Sequence, residues 1–128
     1  MSIRILEFGA RVGASHAIGH VFGAHAAVGH GYTSCVLLPA VMRYNKPVNA
    51  EKQALIAQAM GCEGMDAGDA IEQLIRRLNL PTRIRDVGVK HEDFQIIADK
   101  VMHDFGIKNN PRPVTEASQL LEILEAAW

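Results

Sequence analysis

Cysteine is scarce in this 128-residue sequence, a long apolar run is missing, and there is no excess of charge of one sign. Cys35 and Cys62 lie in apolar or Ala/Met-rich surroundings without a regular spacing, so reduced thiols are expected rather than a disulfide framework. No stretch approaches the roughly eighteen apolar residues of a membrane span. Met1 to Gly9 is too short, and too charged at Arg4 and Glu7, for a signal peptide. A soluble, cytoplasmic chain with no membrane partner is therefore expected. Thirteen Lys and Arg against fourteen Asp and Glu leave a net charge of −1. Without a basic stripe to neutralise a phosphate backbone, nucleic acid is excluded as an expected partner. Repeats, linkers and low-complexity tracts are absent, as are HExxH, CxxC and EF-hand patterns. The length suits one domain over 1–128 with a real core, and not a two-domain enzyme. Residues 1–12 form an unassigned opening segment, in which Ile3 to Phe8 fits a short strand or a helix start.

What is present in quantity is histidine, concentrated in one place. Ser15 to Gly31 reads SHAIGHVFGAHAAVGHG and carries four of the six histidines with almost no charge. His16 and His20, four apart on a helix, share a face at about 40° to one another and about one turn apart. His30 follows between Gly29 and Gly31, whose backbone freedom lets a third imidazole fold back towards the first two. Neutral imidazole is a metal ligand and the usual proton-transfer group near neutral pH. From the residues alone, a metal site, a proton-transfer site and a merely packed or surface pair all remain open. His25 points off the shared face, and His91 and His103 lack partners at metal spacing, so all three are read as solvated or packing residues.

Helical patterns fill the rest. A helix is expected from Ala14 to about Val28, with Gly19 and Gly23 tolerated for close approach despite a cost of about 1 kcal/mol each. Thr33 is the expected cap of a second helix to about Tyr44, kinked at Pro39. Asn45 to Asn49 reads as a loop, with Asn49 capping a helix to Met60. Asp66 caps a helix that turns Ala67, Ala70, Ile71, Leu74, Ile75 and Leu78 inward and Glu72, Arg76 and Arg77 outward. Arg76-Arg77 and Arg83 with Arg85 read as a solvated face rather than a phosphate site. A helix from His91 to Phe105 buries Phe94, Ile97, Ala98, Val101, Met102 and Phe105. Thr115 caps the last helix, with Leu120, Leu121, Ile123, Leu124 and Ala127 inward. The expected fold is all-α, an orthogonal bundle of about six helices, with one strand at most near the N-terminus.

Several words of the sequence occur in the order and spacing of a known family. His16-Ala-Ile-Gly-His20, Gly29-His30-Gly31 and the run Val36 to Asn45 with Pro39 and Met42 resemble the iron-containing (group III) alcohol dehydrogenases, whose relatives include maleylacetate reductases and glycerol dehydrogenases. Leu80-Pro81-Thr82, Asp86 to Val89, Asn110-Pro-Arg-Pro-Val-Thr115 and the closing Leu121 to Trp128 resemble the end of that family's sequences. The resemblance covers about Gly13 to Trp128. It implies the C-terminal part of the family's dehydroquinate synthase-like helical domain, with His16 and His30 as metal ligands and His20 beside the metal as the catalytic residue.

The family's nucleotide-binding domain, with its glycine-rich loop, has no counterpart here, nor do the Asp and His that complete the ligand set. The resemblance thus implies a divalent metal, iron or zinc, and an NAD(P) cofactor whose binding domain is absent, so no cofactor-binding residue is assigned. Turnover by this chain alone is not expected unless a separate nucleotide-binding polypeptide joins it; Glu7, Asp66 or a second subunit is a candidate further metal donor. The alternative is a non-enzymatic helical interaction or structural domain, a truncated remnant that oligomerises. In either case a homodimer is expected, through Ile3 to Phe8 and part of the His16 to Val28 helix.

Overall fold

A computed structural model describes residues 12–128; the expected strand or helix start over Ile3 to Phe8 lies outside them. Five α-helices follow in order: α1 (Ala14–Ala26), α2 (His30–Ala59), α3 (Ala67–Arg77), α4 (Phe94–Met102) and α5 (Ala117–Ala126). Single 3-10 turns at Ile84–Val87, His91–Asp93 and Ile107–Asn109 join the later helices. Among the described residues there is no strand, in keeping with the all-α expectation.

The main core is built from α1, α2, α4 and α5. Ile18 and Phe22 of α1, Val36 and Leu37 of α2, Ile97 and Val101 of α4 and Leu120, Ile123 and Leu124 of α5 are all withdrawn from water, together with Ile84. Helix α3 packs on the other side of α2, where Ala57, Ala67, Leu38 and Ile71 surround Met42. The first arm of α2 is therefore covered on two sides, which explains why its sequence reads as a continuous apolar run rather than an amphipathic stripe.

Helix α2 departs most from expectation. It starts at His30 with Gly29 as its N-cap, and Thr33 donates from Oγ1 to the His30 carbonyl at 2.7 Å instead of capping. It continues through Pro39 and through the expected loop at Asn45, Lys46 and Pro47. Within its span only Asn49 leaves helical geometry, at φ −141° and ψ 27°. There the helix folds back so far that Gln53 Nε2 donates to the Met42 carbonyl at 2.6 Å and to Asn49 Oδ1 at 2.8 Å. Tertiary burial overrides the local loop propensity: Tyr44 and Asn45 are core residues.

Other differences follow from how narrow the packed stripes are. Asp66 caps α3, accepting from Asp69 N–H at 3.2 Å as expected. Leu74 and Leu78 are nevertheless exposed, because α3 approaches α2 closely through Gly68, where a Cβ would lie 3.1 Å from the Pro39 carbonyl oxygen. The helix expected from His91 begins as a 3-10 turn and ends at Met102, leaving Phe105 exposed. Helix α5 is capped by Glu116, which forms a reciprocal capping box with Gln119, rather than by Thr115.

Candidate functional site

Helix α1 carries His16 and His20, one turn apart, and α2 opens with His30. Ala27, in left-handed geometry at φ 53°, ends α1, and two further residues return the chain across it. The helices meet where Gly19 faces Thr33; a Cβ on Gly19 would lie 3.0 Å from Thr33 Oγ1. This close approach brings the His30 ring to the His16 ring, centroids 5.2 Å apart, while His16 and His20 lie 4.2 Å apart. The expectation of close approach thus holds at Gly19; at Gly23 the nearest atom would be 3.8 Å away.

A fourth group joins the three imidazoles. Asp104, in the turn after α4, accepts the Gly106 N–H on Oδ1 at 2.8 Å and faces His20 Nδ1 with Oδ2 at 3.2 Å. Gly106 permits the fit, since a Cβ there would lie 3.1 Å from both Asp104 Oδ1 and Val12 Cγ2. An ionised carboxylate only accepts, so a neutral His20 bonded to it carries its proton on Nδ1 and leaves the Nε2 lone pair free. His20 is 39% exposed and Asp104 14%; Phe105 lies 6.1 Å from the His20 ring. The His16 imidazole titrates below its ordinary value, first because it is buried, then because protonated His20 and His30 repel a third positive charge, with Asp104 pulling the other way. His16 also lines a cleft of about 360 Å³ with Ser15, Ser34, Asn45, Asn109 and Asn110.

The remaining histidines are engaged elsewhere. His25 Nε2 meets Asp93 at 3.3 Å, His91 Nε2 meets Glu125 at 2.7 Å, and His103 Nδ1 bonds the Asp99 carbonyl at 2.9 Å. Asp66, a candidate metal donor from the sequence, is held by Lys46 and the start of α3; Glu7 lies outside the described residues. Asp104 is the site residue that sequence reasoning missed. Its sole local signal is Asp-Phe-Gly at a helix end, and it stands 84 residues from its histidine partner.

The donor set tests the metal implied by the resemblance. The His16 and His30 rings meet edge-on, and among the described residues no group of three or more His, Cys, Asp or Glu is arranged to hold an ion. Among the described residues, His16 and His30 do not by themselves make a closed coordination shell.

Known proteins are similar to this chain in sequence and fold. Residues 5–128 match the Fe-containing alcohol dehydrogenase family, C-terminal, a match that reaches further towards the N-terminus than the motifs from Gly13 onwards. The chain is 36% identical over 126 residues to lactaldehyde reductase of Escherichia coli (strain K12), covering 91% of this chain and 33% of that protein. It is 37% identical over 128 residues to 1,3-propanediol dehydrogenase of Citrobacter freundii, covering 93% and 33%. A crystal structure of 1,3-propanediol oxidoreductase superposes with a TM-score of 0.83 at 34% identity, over 91% of this chain and 32% of that one. Alcohol dehydrogenase from Oenococcus oeni does so at 0.81 and 31%, over 93% and 33%. The chain spans about a third of the length of these relatives. Among the described residues no helix is long and apolar enough to cross a membrane. Sequence match and shared fold agree: this chain belongs to the iron-containing alcohol dehydrogenase family and corresponds to its C-terminal part.

Proposed function

We propose that these residues form part of the metal-binding catalytic half of an NAD(P)-dependent alcohol or carbonyl oxidoreductase. His16 and His30 are the metal donors of this chain. The observation that carries the reading is the convergence of His16, His20 and His30 with Asp104 at one surface. A bound divalent iron or zinc would supply Lewis acidity towards an alcohol or carbonyl oxygen. Partial burial and its imidazole neighbours favour the neutral form of His16, which has a lone pair to donate. Asp104 holds His20 in one tautomer, so that an exposed Nε2 can take up or release a proton. Further metal donors would come from Glu7, a second subunit or other polypeptide, and the nucleotide site from polypeptide other than this segment. Without that polypeptide the chain is expected to show no alcohol-dependent reduction of NAD or NADP, and turnover above buffer would overturn this reading.

The incomplete donor set favours a second reading, a helical interaction or structural domain that binds metal weakly or not at all. Metal analysis after iron(II) or zinc loading of untagged protein separates the two. The enzymatic reading expects bound metal that is lost in a His16→Ala/His30→Ala double variant and kept in His25→Ala, His91→Ala and His103→Ala. Equal loss in all variants, or no metal in any, leaves the structural reading standing.

A further inference from the structure

Two of the asparagines that line the cleft beside His16 are buried between the helices that carry the histidines. Asn110 is 6% exposed and Asn45 8%, and a buried amide is costly unless its groups are paired. Asn110 Oδ1 accepts the Ala14 N–H at 3.1 Å and faces Asn45 Nδ2 at 3.4 Å; Asn110 Nδ2 donates to Asn45 Oδ1 and to the Arg112 carbonyl, both at 2.7 Å. All four hydrogen-bonding positions of one amide are used.

The partners of Asn110 matter for the site. Ala14 is the first residue of α1, two before His16, and its N-cap Gly13 offers no side chain. Helix α1 therefore takes its cap from 96 residues away. Gly13 makes room for it, since a Cβ there would lie 3.0 Å from Asn110 Oδ1. Asn45 belongs to α2, with no departure from helical geometry between it and His30. At Gly19 the two helices approach closely, and Thr33 Oγ1 there is bonded within α2 to the His30 carbonyl, so that contact holds them against sliding by shape alone. A directional bond between buried amides resists it strongly. The turn that ends in Asn110 also begins at Asp104, through Ile107 N–H to the Asp104 carbonyl at 3.4 Å and Asn110 N–H to the Ile107 carbonyl at 3.2 Å.

We infer that Asn110, locked to Asn45, is the positioning residue that sets His16 of α1 against His30 of α2. Its functional meaning rests on the proposed metal role of those histidines; its geometric content does not. The test uses the metal-free chain, in which nuclear Overhauser contacts between the His16 and His30 ring protons report their approach, followed by cobalt(II) titration. Asn110→Ala and Asn45→Ala are compared with Val114→Ala, a core truncation in the same loop that leaves the amide pair intact. Expected are loss of the ring contacts in both asparagine variants while far-UV circular dichroism stays native, and cobalt(II) affinity weaker by about tenfold or more. Val114→Ala should keep both at a comparable loss of Tm. Wild-type ring contacts in either folded asparagine variant, or equal loss in Val114→Ala, overturns the inference. If Asn110→Ala fails to fold, Asn45→Ala, which leaves the α1 cap in place, decides; failure of both to fold overturns a positioning role in favour of a purely structural one. If cobalt(II) binds none of the proteins, the metal assignment fails and the ring contacts alone decide.

Discussion

Two glycines one turn apart on α1 look alike in sequence and differ in what they do. At Gly19 an added Cβ would press on Thr33 Oγ1, which is buried and already bonded to the His30 carbonyl. Gly19→Ala is expected to cost about 1–3 kcal/mol and to push His30 away from His16. Gly23 is exposed, with its nearest neighbour at 3.8 Å, so Gly23→Ala should stabilise by about 0.5–1 kcal/mol through helix propensity alone. Urea midpoints of the two variants, moving in opposite directions, check the contrast. The same scale separates the histidines: local spacing revealed His16, His20 and His30 as a set, whereas Asp104 has no local relation to them and became visible through tertiary contact.

At the scale of the element, α2 and α3 are clasped by charge. Glu72 accepts from Arg43 and Arg76, each at 2.7 Å, and lies 3.9 Å from Arg83; Arg43 also reaches Asp69 at 2.6 Å. The sequence pattern turned Glu72 outward, but its side chain is 16% exposed. The hydrogen bond from Arg43 holds the Glu72 carboxyl below its ordinary 4.5, burial opposes this, and the charges of Arg43, Arg76 and Arg83 reinforce it. The folded state thus binds this proton less readily than the unfolded chain. The stabilisation is complete above about pH 4.5 and is lost as pH falls through the folded value. Glu72→Gln should lower stability at pH 7 by about 1–3 kcal/mol and flatten the acid limb of a stability–pH curve. Part of the slope should persist, since Lys46 lowers Asp66 by the same means. An unchanged acid limb would show that the clasp contributes nothing.

For the whole molecule, the proposed homodimer concerns which apolar surface a partner covers. Helix α1, part of the expected face, exposes no large apolar side chain, whereas Leu55 and Ile56 on α2 and Leu74 and Leu78 at α3 do. Exposed large apolar side chains among the described residues therefore lie mostly on α2 and α3, with Ile96 on α4 and Phe105, beside His20, outside them. Sedimentation at micromolar concentration should give a species of twice the 14.0 kDa chain mass; a 14.0 kDa monomer would remove the homodimer proposal.

Periodicity, caps and histidine spacing determined the helical class, the α1 span, the Asp66 cap and the three candidate imidazoles, because each depends on residues within a turn or two of one another. Tertiary structure decided what depends on distant neighbours. Burial of Tyr44 and Asn45 carries α2 through an apparent loop to Asn49. Narrow contacts through Gly68 leave Leu74 and Leu78 in water. Asp104 and Asn110 acquire their roles only where the end of the chain folds back on α1, at sequence separations of 84 and 96 residues. Local pattern carries no information about such pairings, since their energy is gained only after the loop between them has closed.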